Sequence, residues 1–234
     1  MEDTAPRRNG APAFDPVVQV FANAIVEAVV SYAASSRREI EDAMRAEAAS
    51  IASENAALAV DAAGRRWLML CSVLLAAYRT LLPLIGDSPT ALSVLQSAMT
   101  APFRAGIKAF IRDRFGISQD APGEAFDRIA ETFQSRGEER FGRAFTFVPD
   151  VNNGEQSCTN ITRCLFNDFF RANNANELTV VCCAMDYVWA EELAHPRYGV
   201  RFERPTTLAA GDDTCRFRFF RDSSRQGATQ PVRQ

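Results

Sequence analysis

Residues 200–220 read VRFERPTTLAAGDDTCRFRFF. Val200 to Leu208 and Thr214 to Phe220 have the alternating character of half-buried strands, and Gly211-Asp212-Asp213 between them has the composition of a turn. At a period of two, Val200, Phe202 and Arg204 share one face, and Arg201 and Glu203 the other. Cys215, Phe217 and Phe219 likewise share a face of the last strand. The chain before this stretch is mainly helical in pattern. Strands after helices predict an α+β fold, with an N-terminal helical region packed with a C-terminal small antiparallel sheet and two helices.

Working upstream, Glu177 to Leu193 reads as a helix with Pro196 just beyond it. Thr159 or Asn160 is a candidate cap for a helix through Cys164, Phe166, Phe169 and Phe170, which the Asn173–Asn176 run ends. Ala144–Val148 has strand propensity and Asn152-Asn153-Gly154 is a turn. Further back, Asp15 caps a first helix with Pro16 at its first position, and Phe14, Val17, Val18, Phe21, Ile25 and Val29 form its apolar stripe. Ser36 and Glu39 make a capping box for a helix to about Ala63, which Gly64 separates from the apolar run Trp67–Ile85. One helix is expected over 90–114 and a short one from Glu124 to Phe133, with breaks at 84–89 and 116–123. The expected organisation is a tail at 1–13, a helical region at 14–141, an α+β region at 142–221 carrying the cysteines, and a tail at 222–234, in one structural domain.

The 234 residues are 47% apolar with a net charge of −3, enough for a real core and without the basic surplus that nucleic acid requires. Lys108 is the only lysine. The N-terminal MEDTAPRRNGAPAFDP lacks the apolar core of a signal peptide, so a cytoplasmic location is expected and disulfides are not. The six cysteines are then free thiols, metal ligands or catalytic groups. Trp67–Ile85 approaches spanning length, but Arg79 interrupts it and Pro83 follows, which favours a buried core helix over a membrane segment. No membrane partner is expected; homo-oligomerisation is left open.

Chemistry concentrates late in the chain. Cys164 and Asp168 are four residues apart, Cys182 and Asp186 also four, and Cys183 and Asp186 three, so each pair shares a helix face. A carboxylate can accept a proton or orient water, but beside a thiol it raises the thiol pKa, so a reactive thiolate needs a positive partner. Arg204, pointing inward from the strand end, needs an anion; a substrate carboxylate held bidentately would serve, as would Asp186. Core packing is the ordinary alternative for each cysteine. His195, the lone histidine, sits at a helix end beside Pro196. Cys164, Cys183, Cys215 and Asp186 could form a thiolate-rich metal set, although no C-x-x-C pair supports one. Gly-rich phosphate loops and the G-x-S-x-G elbow are missing from the sequence.

The segments NITRCLFNDFF, ELTVVCCAMDYVWAEELAHP and VRFERPTTLAAGDDTCRFRF together resemble the C-terminal signature of the L-2-amino-thiazoline-4-carboxylic acid hydrolase family, over about residues 158–220. The resemblance places the family's helix-start cysteine on Cys164, its cysteine–aspartate pair on Cys183 and Asp186, its arginine on Arg204, and its glycine and closing cysteine on Gly211 and Cys215. It implies hydrolysis of a small cyclic amidine bearing a carboxylate to a carbamoyl-cysteine-type product, without a cofactor. Cys183 and Asp186 would be catalytic, Arg204 would clamp the carboxylate, and Cys164 and Cys215 would line the pocket. The same chemistry on another C=N or thioimidate ring would suit a tailoring step in a biosynthetic pathway. The closing strand is also similar to small-molecule-binding domains related to four-vinyl reductases and vesicle-tethering subunits. That similarity keeps a non-catalytic binding or metal-binding module as the alternative.

Overall fold

The structure is a computed structural model and describes residues 14–222. Both expected tails lie outside the described residues, apart from Asp222, whose N–H donates to the Gly199 carbonyl at 2.8 Å. The fold is α+β. Five helices come first: α1 (Pro16–Val30), α2 (Arg37–Glu54), α3 (Ala62–Ile85), α4 (Ser88–Ala105) and α5 (Ile107–Phe115). Then follow α6 (Ala125–Phe141), the hairpin β1 (Thr146–Asn152) and β2 (Gln156–Arg163), α7 (Leu165–Ala172), α8 (Thr179–Leu193), β3 (Val200–Glu203) and β4 (Cys215–Arg221).

Local chemistry sets several helix starts as expected. The Asp15 carboxylate accepts the Val17 N–H at 2.9 Å, and Ser36 with Glu39 forms a reciprocal capping box. Other boundaries differ from the sequence expectation. Helix α2 stops at Glu54, because the Asn55 side chain takes the Ile51 carbonyl and exchanges amide hydrogen bonds with Asn173 on the far side of the chain. Gly64 lies inside α3, where its N–H reaches the Asp61 carboxylate at 2.6 Å. The expected 90–114 helix is two, broken at Gly106, and α6 continues beyond Phe133 to Phe141.

The largest correction concerns residues 156–163. Thr159 and Asn160 do not cap a helix; they lie within β2, whose Ser157, Cys158 and Thr159 are buried. Strand β2 pairs on both sides, and the antiparallel sheet runs β1-β2-β4-β3. Opposed pairs Ile161–Cys215, Thr159–Phe217 and Phe202–Phe219 set the register. Strand β3 ends at Glu203, sooner than the expected Leu208, so Arg204 stands just past the strand.

Helices α6 and α8 press on the face carrying Phe217 and Phe219. Phe133 of α6 lies 5.0 Å from the Phe219 ring, and Trp189 of α8 lies 4.6 Å from Phe202. Helix α3 is long and apolar enough to cross a membrane, and most of it is buried among other helices. Asp61 joins the helical and sheet regions: besides Gly64 it accepts the Arg143 N–H at 2.7 Å. Gly142 has φ +70°, and a Cβ there would lie 2.5 Å from the Asp61 carboxylate, so only glycine fits this junction.

Candidate functional site

A cavity of about 100 Å³ lies between the helices and the sheet. One water needs roughly 10–15 Å³ on this measure, so the space suits a ligand the size of a small ring with a substituent. Much of the wall is aromatic: Trp67, Phe103, Phe110, Phe133, Phe166 and Trp189 are among its rings. Its polar groups are few, as is usual where an apolar pocket orients a small molecule.

The structure brings Cys164, Cys183, Asp186, Arg204 and Cys215 to this cavity. Cys164 directly precedes α7, at its N-cap position. Cys183 and Asp186 lie one turn apart on α8. Arg204 follows β3 and Cys215 opens β4. The loop between these two residues is held by its own hydrogen bonds. Thr207 caps the turn at Leu208–Ala210, and its N–H donates to Asp212 at 2.8 Å. Gly211 takes φ +92°, and the Cys215 sulfur accepts the Leu208 N–H at 3.2 Å. Residues Thr207 to Gly211 thus fix the loop that carries Arg204 and Cys215 to the cavity.

Arg204 forms a charge pair with Asp186 through Nη1, and its side chain is only 3% exposed. Its Nε is buried without a partner. The other Asp186 oxygen accepts the Trp189 indole N–H at 3.0 Å. Burial raises the Asp186 pKa above 3.8, against the lowering effects of Arg204, the Trp189 hydrogen bond and Arg114. The Asp186 side chain retains 29% exposure and lines the cavity; loss of hydration is still the largest influence on its pKa. Burial acts to lower the Arg204 pKa, while Asp186 and Cys183 hold it above its ordinary value.

The four thiols at the cavity have raised pKa values. Burial, then the Asp186 charge, puts Cys183 well above the usual thiol range, and Arg204 offsets this only in part. Burial raises Cys164 and Cys215 as well. Cys182 shares a hydrogen bond with Cys71, and this contact together with burial raises its pKa. All six cysteines are free.

Two arrangements that the sequence left possible do not form. Asp168 turns to Arg163, 3.2 Å away, and does not line the cavity with Cys164. Among the described residues, no group of three or more His, Cys, Asp or Glu side chains is placed to hold a metal, so the suggested thiolate-rich set is not assembled as ligands. His195 is exposed; its Nδ1 accepts the Arg197 N–H at 3.2 Å, away from the cavity. Conversely, the helical region contributes wall residues that its sequence pattern did not mark, above all Arg114 of α5 and Arg140 of α6. The one available signal was an arginine within an aromatic surround, as in Phe110 to Phe115.

A family model described as L-2-amino-thiazoline-4-carboxylic acid hydrolase matches residues 68–219. The chain belongs to that family. The match extends well upstream of the C-terminal signature and takes in α4, α5 and α6, which supply part of the cavity wall. No curated protein and no solved structure matches the chain. Of the residues singled out by resemblance to the L-2-amino-thiazoline-4-carboxylic acid hydrolase family, Cys164, Cys183, Asp186, Arg204 and Cys215 line the cavity and Gly211 does not.

Proposed function

We propose that this chain is a hydrolase that opens a small cyclic amidine bearing a carboxylate, of the L-2-amino-thiazoline-4-carboxylate type, to a carbamoyl-cysteine-type product. The observation that carries this reading is the placement of Cys183 and the Arg204-paired Asp186 on the wall of an aromatic cavity of small-metabolite size.

Asp186 is the proton carrier. A carboxylate made more basic by burial is suited to general-base work, and Arg204 keeps it oriented. Cys183 is the nucleophile. Burial and the Asp186 charge raise its thiol pKa; a cationic amidinium beside it would offset both. The sulfur attacks the amidine carbon, and the thiol proton passes to Asp186. Collapse of the adduct breaks a ring bond at that carbon and returns the proton to the departing ring atom. Water then attacks the enzyme-bound carbon, gives a proton to Asp186, and displaces the Cys183 sulfur, which recovers that proton. Atoms balance with one water consumed. Cys164 and Cys215 line the same pocket.

The test is turnover of L-2-amino-thiazoline-4-carboxylate by the purified protein, with product followed by mass spectrometry. Asp186→Asn should lower kcat by about 10²-fold or more, and Cys183→Ala should abolish turnover. Undiminished turnover in Cys183→Ala would eliminate the covalent step, and in Asp186→Asn the base. The raised thiol pKa values also suit a second reading, a binding module with packed cysteines. Binding without turnover by folded wild-type protein would select it.

A further inference from the structure

We infer that Arg114 and Arg140, from the helical region, form the site that takes the ligand's carboxylate, leaving Arg204 to serve Asp186. This rests on the cavity of the proposed hydrolase and deepens it by naming what recognises the anionic group.

Three arginines and one carboxylate line the cavity. The carboxylate, Asp186, is committed to Arg204 by direct pairing. Arg114 is 4% exposed, and its hydrogen bond is to a neutral acceptor, the Phe133 carbonyl, at 2.9 Å. Its guanidinium lies 4.4 Å from the Phe133 ring centre and 5.2 Å from that of Phe115. Arg140 is half-buried; its guanidinium lies 5.1 Å from the Phe110 ring centre and 5.6 Å from that of Trp67. Among the described residues, neither arginine has a carboxylate within ion-pairing distance, and Asp186 acts on Arg114 only at longer range. Two cations are therefore held on an apolar wall without a directly paired anion. Burying a cation this way is costly unless an anion joins it.

Ring faces position both guanidiniums without neutralising them. A carboxylate entering between them would gain charge-assisted hydrogen bonds in a water-poor space. The cavity then has a polarity: arginines on the α5–α6 side for the carboxylate, and Asp186 with Cys183 on α8 for the amidine. A ligand carrying both groups on one small ring matches that layout.

The experiment is isothermal titration of the full chain with three probes, 2-aminothiazoline without the carboxylate and the unreactive aromatic 2-aminothiazole-4-carboxylate and thiazole-4-carboxylate, beside a turnover assay with L-2-amino-thiazoline-4-carboxylate. The proteins are wild type, Arg140→Gln and Arg114→Met; Arg140 is less buried, so its variant guards against a folding failure at Arg114. Wild type should favour each carboxylated probe over 2-aminothiazoline by about 10- to 100-fold, the worth of a charged hydrogen bond. Either variant should reduce that preference to about threefold or less, on the same scale, through loss of affinity for the carboxylated probes. A carboxylate preference that survives in both variants overturns the assignment, as does wild type with no preference. Arginine-dependent binding of thiazole-4-carboxylate, with no turnover of the thiazoline, sustains the clamp while removing the hydrolase reading.

Discussion

Arg204 and Asp186 lie eighteen residues apart in sequence, one just past a strand and the other within a helix, yet they meet as an ion pair at the cavity wall. Arg204→Met removes the cation from a buried pair. The loss should be about 3 kcal/mol, at the low end for such pairs because Asp186 can take up a proton. The double variant Arg204→Met/Asp186→Leu should recover most of that stability and remain inactive. Urea denaturation of the wild type and both variants measures this; a double variant weaker than Arg204→Met would contradict it.

Asp186 also links stability to pH. Its folded-state pKa is above 3.8, so between 3.8 and that raised value the native chain binds more protons than the unfolded chain. The stabilising contribution is full below 3.8 and is lost as pH rises through the folded pKa. The stability of the wild type relative to Asp186→Asn should therefore fall with rising pH over that window. A flat or rising difference in denaturation measurements at a series of pH values would refute the shift.

Trp189 donates to Asp186 and lowers its pKa. Trp189→Phe keeps an aromatic ring against the sheet but removes that donor. Loss of that donor raises the Asp186 pKa further, so the acid limb of kcat/KM should move to higher pH. An unmoved limb would separate Asp186 from the acid-side ionisation.

Thiol chemistry supplies a further check. Burial holds Cys164, Cys183 and Cys215 above the ordinary thiol range. Without ligand, iodoacetamide should modify Cys183 more slowly than free cysteine at pH 7.5, with the rate rising into alkaline solution. Peptide mapping over time resolves the site, and rapid labelling of Cys183 near neutrality would contradict its environment.

Gly142→Ala tests the junction at Asp61. An alanine there must accept φ +70° and a Cβ against the Asp61 carboxylate. Strain of about 1–2 kcal/mol and a weakened helix cap of about 1 kcal/mol should add. A Tm equal to that of the wild type would show that the turn relaxes freely.

The α+β class, the caps at Asp15 and Ser36, and the convergence of Cys183, Asp186 and Arg204 were legible because each rests on local spacing or on a motif. Strand β2 was not. Its Cys158-Thr159-Asn160 carries the side chains of a helix start, and only pairing with β1 and β4 makes it a strand. Asn55 ends α2 through Asn173, which no nearby residue announces. The arginine side of the cavity was missed for a related reason. Arg114 resembles any surface arginine on a helix until Phe133 and Phe147 close over its neighbourhood, and Gly137 gives them room: a Cβ there would sit 2.7 Å from Phe147 and 3.1 Å from Arg114.

The cavity wall runs from Phe21 in α1 to Phe217 in β4, close to the full described span of the chain. Synthesis from the N-terminus therefore delivers the first wall residue early and the last only when β4 has left the ribosome. Until then Phe133 and Trp189 lack Phe217 and Phe219, the rings of β4 that pack on them. A nascent chain in that state carries exposed apolar surface, the condition under which partly made proteins associate and chaperones engage them. An arrangement that draws the cavity wall from so much of the chain makes the last strand the step on which the whole chamber depends.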